Sequence, residues 1–148
     1  MAESRLRADL NDDKIVLSGK VDLTVGRPEG LRAGKVLIDL KTGGFAPNHR
    51  DDLRFYALIE ALRIGVPPRL LATYYLDGGR LQGETVNEAL LGSALERVVD
   101  GADAAIALKH EGREPQLRAG PPCHWCPRRT DCEVGQRFLE ERDEQDGW

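Results

Sequence analysis

The sequence predicts a mixed α/β fold, a central sheet flanked by helices, and three observations carry that reading. Runs of strand length, alternating or continuously apolar, occupy the first third of the chain. Two longer stretches, residues 49–64 and 87–109, bring apolar residues round at helical spacing. The predicted order is three strands, a helix, two strands and a helix, followed by a cysteine-bearing appendix.

Residues 4–10 alternate, with Leu6, Ala8 and Leu10 on one face, and Asn11-Asp12-Asp13 supplies turn chemistry. Residues 14–24 form a second strand, interrupted by Gly19, and the Gly/Pro-rich stretch 26–34 makes the next connection. Residues 35–40 (KVLIDL) read as a strand buried on both faces. A loop over residues 42–48 ends on Asn48, a candidate helix cap. The helix over 49–64 carries Leu53, Tyr56, Ala57, Ile59 and Leu62, and Gly65-Val66-Pro67-Pro68 ends it. Residues 70–76 and 80–86 are strands joined at Asp77-Gly78-Gly79, a hairpin signal. Asn87 is placed to cap the second helix, and residues 133–144 suit a final amphipathic helix.

At 148 residues the chain has the size of one domain able to bury a core. Its apolar share of 41% and charged share of 31% argue against a disordered or lipid-embedded chain. No apolar run reaches bilayer length and residues 1–5 lack a signal-peptide character, so the expectation is a cytoplasmic protein with no membrane partner. A net charge of −4 opposes a general polyanion-binding coat but permits a local basic surface.

The chemistry gathers in two places. Asp22 lies near the end of the second strand, and Asp39 and Lys41 end the third. Residues two apart on a strand share a face, so Asp39 and Lys41 point into one site, and pairing of the two strands brings Asp22 beside them. Two carboxylates meeting there suit a hard cation such as Mg²⁺, with the ammonium placed to neutralise charge on a phosphate. Asp39 is expected at a solvent-open strand end. Alone, the Asp-x-Lys tripeptide is equally a strand exit with an ion pair.

The second place is the segment holding all three cysteines, Cys123, Cys126 and Cys132. An odd number so closely spaced is not a disulfide framework and reads as a metal or cluster site. Iron–sulfur clusters take four thiolates, so a fourth ligand has to come from His124, His110, another chain or a small molecule. A Cys₃His zinc site and three reduced cysteines without metal are the alternatives.

Gly19-Lys20-Val21-Asp22, followed by Asp39-Leu40-Lys41-Thr42-Gly43, resembles the Gly-x-x-Asp and Asp-x-Lys-Thr-Gly pair of RecB-like PD-(D/E)XK nucleases. The helix with Tyr56, the following strand and the Cys-x2-Cys-x5-Cys segment come in the same order. The resemblance implies a restriction-endonuclease-like core over residues 1–112, with a cysteine-containing segment over 113–148 packed on the same domain. It implies metal binding by Asp22, Asp39 and the Leu40 carbonyl, catalysis by Lys41, and a place for Tyr56 beside the active site. Asp52 stands where the family has Gln. The family's amino-terminal helix, with its metal-binding His or Glu, and its first cluster cysteine have no counterpart, so the chain resembles the carboxyl-terminal part of a longer domain.

The activity implied is Mg²⁺- or Mn²⁺-dependent cleavage of DNA ends or single strands, as in DNA repair. A [4Fe–4S] cluster or Zn²⁺ on the cysteines would be a structural staple. The alternative is a noncatalytic DNA-binding or protein-interaction module. Arg50, just after the catalytic strand, is the basic residue favoured for phosphate contact, with Arg113, Arg118, Arg128 and Arg129 as further candidates. Phe45 and Trp125 are candidates to stack on a base, though packing is the commoner use of such residues. Another chain or self-association through the first strand's edge completes the expected partners.

Overall fold

The computed structural model describes residues 2–146, with side chains described over 4–144. Contacts divide the chain into two compact units, Met1–Asp103 and Ala104–Trp148.

The first unit is a five-stranded sheet in the order β1 (Ala2–Leu10), β2 (Ile15–Val25), β3 (Val36–Lys41), β4 (Leu70–Tyr75) and β5 (Arg80–Thr85). The mixed α/β class and the element order are those the sequence predicts. Helix α1 (His49–Ile64) crosses between β3 and β4, the one parallel pair; the other three pairs are antiparallel. A parallel neighbour requires such a crossover, whereas hairpins suffice elsewhere. Asn11, Asp12 and Asp13, between β1 and β2, all take positive φ (53°, 53° and 63°), a conformation that short polar side chains tolerate better than most.

Leu6, Ala8, Val21, Leu37 and Leu71 of the sheet pack with Leu53, Ala57 and Ile59 of α1 in one core. Full burial of an aliphatic side chain is worth about 1.5–3 kcal/mol, so this α1–sheet layer is the main apolar term holding the first unit. Gly19 sits against the Tyr56 ring: a Cβ there would lie 2.4 and 2.7 Å from two ring carbons. The interruption in the β2 pattern is therefore where a ring on the helix presses on the strand backbone.

Two sequence expectations are corrected. Residues 35–40 are buried on the α1 side only: Leu37 and Asp39 are buried, while Leu40, on the opposite face, is 41% exposed. Among the described residues α1 is the helix that packs on the strands, so β3 is covered on one face rather than on both as in an all-parallel sheet. Asn48 is not a side-chain cap. It takes helical angles (φ −72°, ψ −13°) with no cap bond, so its side chain cannot reach back as an extended cap residue does. Gly65 closes α1 in the left-handed conformation, its N–H bonding the Ala61 carbonyl at 2.9 Å.

Helix α2 (Glu88–His110) begins as expected, with Asn87 Oδ1 accepting the Leu90 N–H at 2.8 Å. Arg54 of α1 forms a two-point contact with Glu84 of β5 (2.6 and 3.0 Å), and Asp51 pairs with Arg97 of α2 at 2.7 Å. Glu60 of α1 is wholly buried and is bonded by Lys35 and Arg63.

In the second unit, α3 (Glu133–Asp146) packs on two 3-10 turns, Pro121–Trp125, which holds Cys123, and Arg129–Asp131, with Cys126 and Cys132 directly after them. Ala107 and Leu139 are its buried apolar residues. Among the described residues no helix is long and apolar enough to cross a membrane.

Candidate active site

The site begins where two strands part. The β2–β3 ladder comprises Leu23↔Ile38, Thr24↔Leu37 and Val25↔Val36. One more step in that register would pair Asp22 with Asp39, but the ladder stops. Asp22 instead turns Oδ2 toward β3 and accepts the Leu40 N–H at 2.8 Å. A carboxylate thus satisfies a backbone donor that the missing strand pair leaves behind. The N–H and C=O of one residue leave the same edge of an extended strand, so the Leu40 carbonyl also faces the Asp22 side.

Alternation along β3 brings Leu37, Asp39 and Lys41 to the α1 side, Leu37 into the core and the two charged residues toward its margin. Asp39 is 7% exposed, which corrects the expectation of a solvent-open strand end. The covering layer is α1, since Asp52 of its first turn and Tyr56 one turn on stand by the pair. Lys41 Nζ lies 3.0 Å from Asp39 Oδ2 and 3.7 Å from Asp52 Oδ2. The Lys41 ammonium is thus the partner that meets the buried Asp39 Oδ2, as a close charge pairing.

Burial pushes the Asp39 carboxyl above its ordinary range; Lys41 opposes this, and the carboxylates of Asp22 and Asp52 reinforce it. Lys41 is held above the usual lysine range, chiefly by Asp39, with Asp52 adding to it. Burial raises the Tyr56 hydroxyl as well, followed by the charges of Asp52 and Asp39. Asp22, Asp39, Lys41, Asp52 and Tyr56 therefore share one electrostatic neighbourhood.

Arg50 is engaged in the loop that follows β3. Its guanidinium carbon lies 6.0 Å from the centre of the Phe45 ring. Phe45 meets Tyr75 edge-on with ring centres 6.3 Å apart, and the Tyr75 hydroxyl lies 3.2 Å from His49 Nδ1. Sequence reasoning missed the hold of Asp52 on Lys41, although its position one helical turn ahead of Tyr56 was a usable signal. It also took Asp77 for a turn former only. Asp77 Oδ2 accepts the Gly43 N–H at 2.6 Å, fixing the loop after β3 across 34 residues of sequence, a link no local pattern reveals.

In the second unit, the Cys123 and Cys132 sulfurs both lie 3.5 Å from where a Gly135 Cβ would be, and Cys126 is exposed. The Gly120 N–H donates to Cys123 Sγ at 3.4 Å. Among the described residues no group of three His, Cys, Asp or Glu side chains is arranged to hold a metal. Trp125 is 80% exposed beside His124.

No family model matches this chain. No curated protein matches it. Among solved structures it is similar to "Crystal structure of SSO0001", at 16% identity with a TM-score of 0.49. The match covers 91% of this chain and 60% of that one, so the chain spans about three fifths of that structure's length.

Proposed function

We propose that the chain is a Mg²⁺- or Mn²⁺-dependent deoxyribonuclease domain of the RecB-like PD-(D/E)XK type, hydrolysing phosphodiester bonds at DNA ends or in single strands. The observation that carries the reading is the meeting of Asp22, the Leu40 backbone, Asp39 and Lys41 where β2 and β3 part. The donors suit a hard divalent cation: Asp39 is a buried carboxylate charge-paired with Lys41, and Asp22 and the Leu40 carbonyl add oxygen from the adjoining edge. When bound, the cation supplies Lewis acidity toward a phosphoryl oxygen and acidifies water.

The chain's own residues do the rest. Lys41 offsets negative charge growing on the scissile phosphate, and its raised proton affinity keeps it an ammonium at neutral pH. Asp39 and Asp52 hold that ammonium from the buried and the exposed side. Tyr56 packs against Gly19 within the same electrostatic neighbourhood. The cysteine-bearing unit enters the proposal as a structural element, with [4Fe–4S] or Zn²⁺ as its metal and the fourth ligand from another chain or small molecule. A cytoplasmic setting accords with three free thiols.

The test is cleavage of labelled single- and double-stranded DNA with Mg²⁺, Mn²⁺ or EDTA, comparing wild type with Lys41→Ala. Metal-dependent cleavage lost in the variant is the expected result. A folded wild type that cuts neither substrate overturns the enzymatic reading. It would favour the noncatalytic DNA-binding or protein-interaction module.

A further inference from the structure

Phe45 is a large aromatic residue left 52% exposed in the loop that follows the Asp39–Lys41 strand. The loop is held at several points. Asp77 accepts the Gly43 N–H, the His49 N–H reaches the Ala46 carbonyl at 3.2 Å, and the Leu76 N–H reaches the Lys41 carbonyl at 2.9 Å. The Phe45 ring meets the ring of Tyr75 at 62° between planes, and Tyr75 is itself 4% exposed and tied to His49. Tyr75 is the register partner of Lys41 on the neighbouring strand, which puts the ring two side chains from the ammonium. Arg50 stands over the same ring.

We propose that Phe45 and Arg50 form a stacking platform that holds an unpaired base of single-stranded DNA beside Lys41. The proposal rests on the nuclease reading and narrows its substrate. A ring fixed by its loop and braced by a buried neighbour presents its exposed surface with little ordering cost, the condition under which an aromatic side chain binds well. Bases inside a duplex already have both faces covered by their neighbours, so such a ring engages only a strand whose bases are free. The Arg50 guanidinium serves the same ligand twice, by cation–π contact in the free protein and by phosphate contact once a base takes the ring. Every base has a π-face, so the platform selects strandedness rather than sequence.

The experiment uses the full chain and measures, by fluorescence anisotropy in EDTA, binding of a labelled oligothymidylate, the same strand with abasic positions, and a duplex. Cleavage of each is then measured with Mg²⁺ and Mn²⁺. Phe45→Ala is expected to weaken single-strand binding by about 5- to 150-fold, the range of one base–aromatic stack, with duplex binding unchanged. Phe45→Trp retains the affinity, and wild type on the abasic strand behaves as Phe45→Ala on the intact one. A Phe45→Ala variant that binds and cuts single strands like wild type overturns the proposal. So does an equal loss on single strand and duplex, or a wild type that does not bind single strands. Stacking-dependent binding without cleavage by wild type would leave the platform standing and refute the nuclease reading instead.

Discussion

Replacing Glu60 by Gln tests how the first unit tolerates charge in its interior. Glu60 has no exposed surface, and its two carboxylate oxygens are divided between Lys35 and Arg63. The two partners are not equivalent. The Arg63 side chain is 41% exposed, so water and salt replace much of what it loses, and its share is within about 1 kcal/mol. Lys35 is only 15% exposed and would be left as an uncompensated ammonium against the α1–sheet layer. Removing one partner of a buried pair costs about 3–5 kcal/mol, a large fraction of the roughly 5–15 kcal/mol that holds a domain together. Urea unfolding followed by fluorescence should show a midpoint lowered by about 1 M or more, at slopes of about 1–3 kcal/mol/M. The double variant Glu60→Leu with Lys35→Met removes both charges and should recover most of the loss. A Glu60→Gln protein within about 1 kcal/mol of wild type, or a double variant worse than the single one, would refute the reasoning.

The candidate site gives a prediction of opposite sign. Burial raises the Asp39 carboxyl, so the stability linked to it is complete below the ordinary carboxylate range and is lost as pH rises through the raised value. At neutral pH the ionised Asp39 is thus a net cost, and Asp39→Asn should raise Tm in EDTA at pH 7, give no gain near pH 3, and abolish cleavage; a lower Tm at pH 7 would contradict the assignment. The two candidate caps separate cleanly. Asn87→Ala should cost about 1 kcal/mol because its Oδ1 holds the Leu90 N–H, and Asn48→Ala less than about 0.5 kcal/mol, both read from urea midpoints.

What was legible in the sequence is what depends on short-range periodicity. The two-residue spacing of Asp39 and Lys41 fixes their common face, and the sheet then delivers Asp22 because β2 and β3 are consecutive and antiparallel. Helix α1 was readable to its ends, since its apolar spacing and Gly65 are local signals. The rest depends on partners distant in sequence. Glu60 looks like an ordinary helix-surface acid until Lys35, 25 residues earlier, is brought under it. The depth of Asp39 was misjudged for the same reason, because α1 covers the strand end. Arg50, chosen for its nearness to Lys41 in sequence, stands over a ring in the adjoining loop.

The bond from the Leu40 N–H to Asp22 acts as a wedge in a zipper. While a side-chain oxygen occupies that donor, the two strands have no backbone reason to pair further. An apolar side chain at position 22 would leave the donor in need of a partner, and the simplest supply is another rung of β2–β3 pairing. The end of the ladder is therefore held by one of the site's own acids, so an apolar substitution there would remove a proposed ligand and the stop to further pairing in the same step.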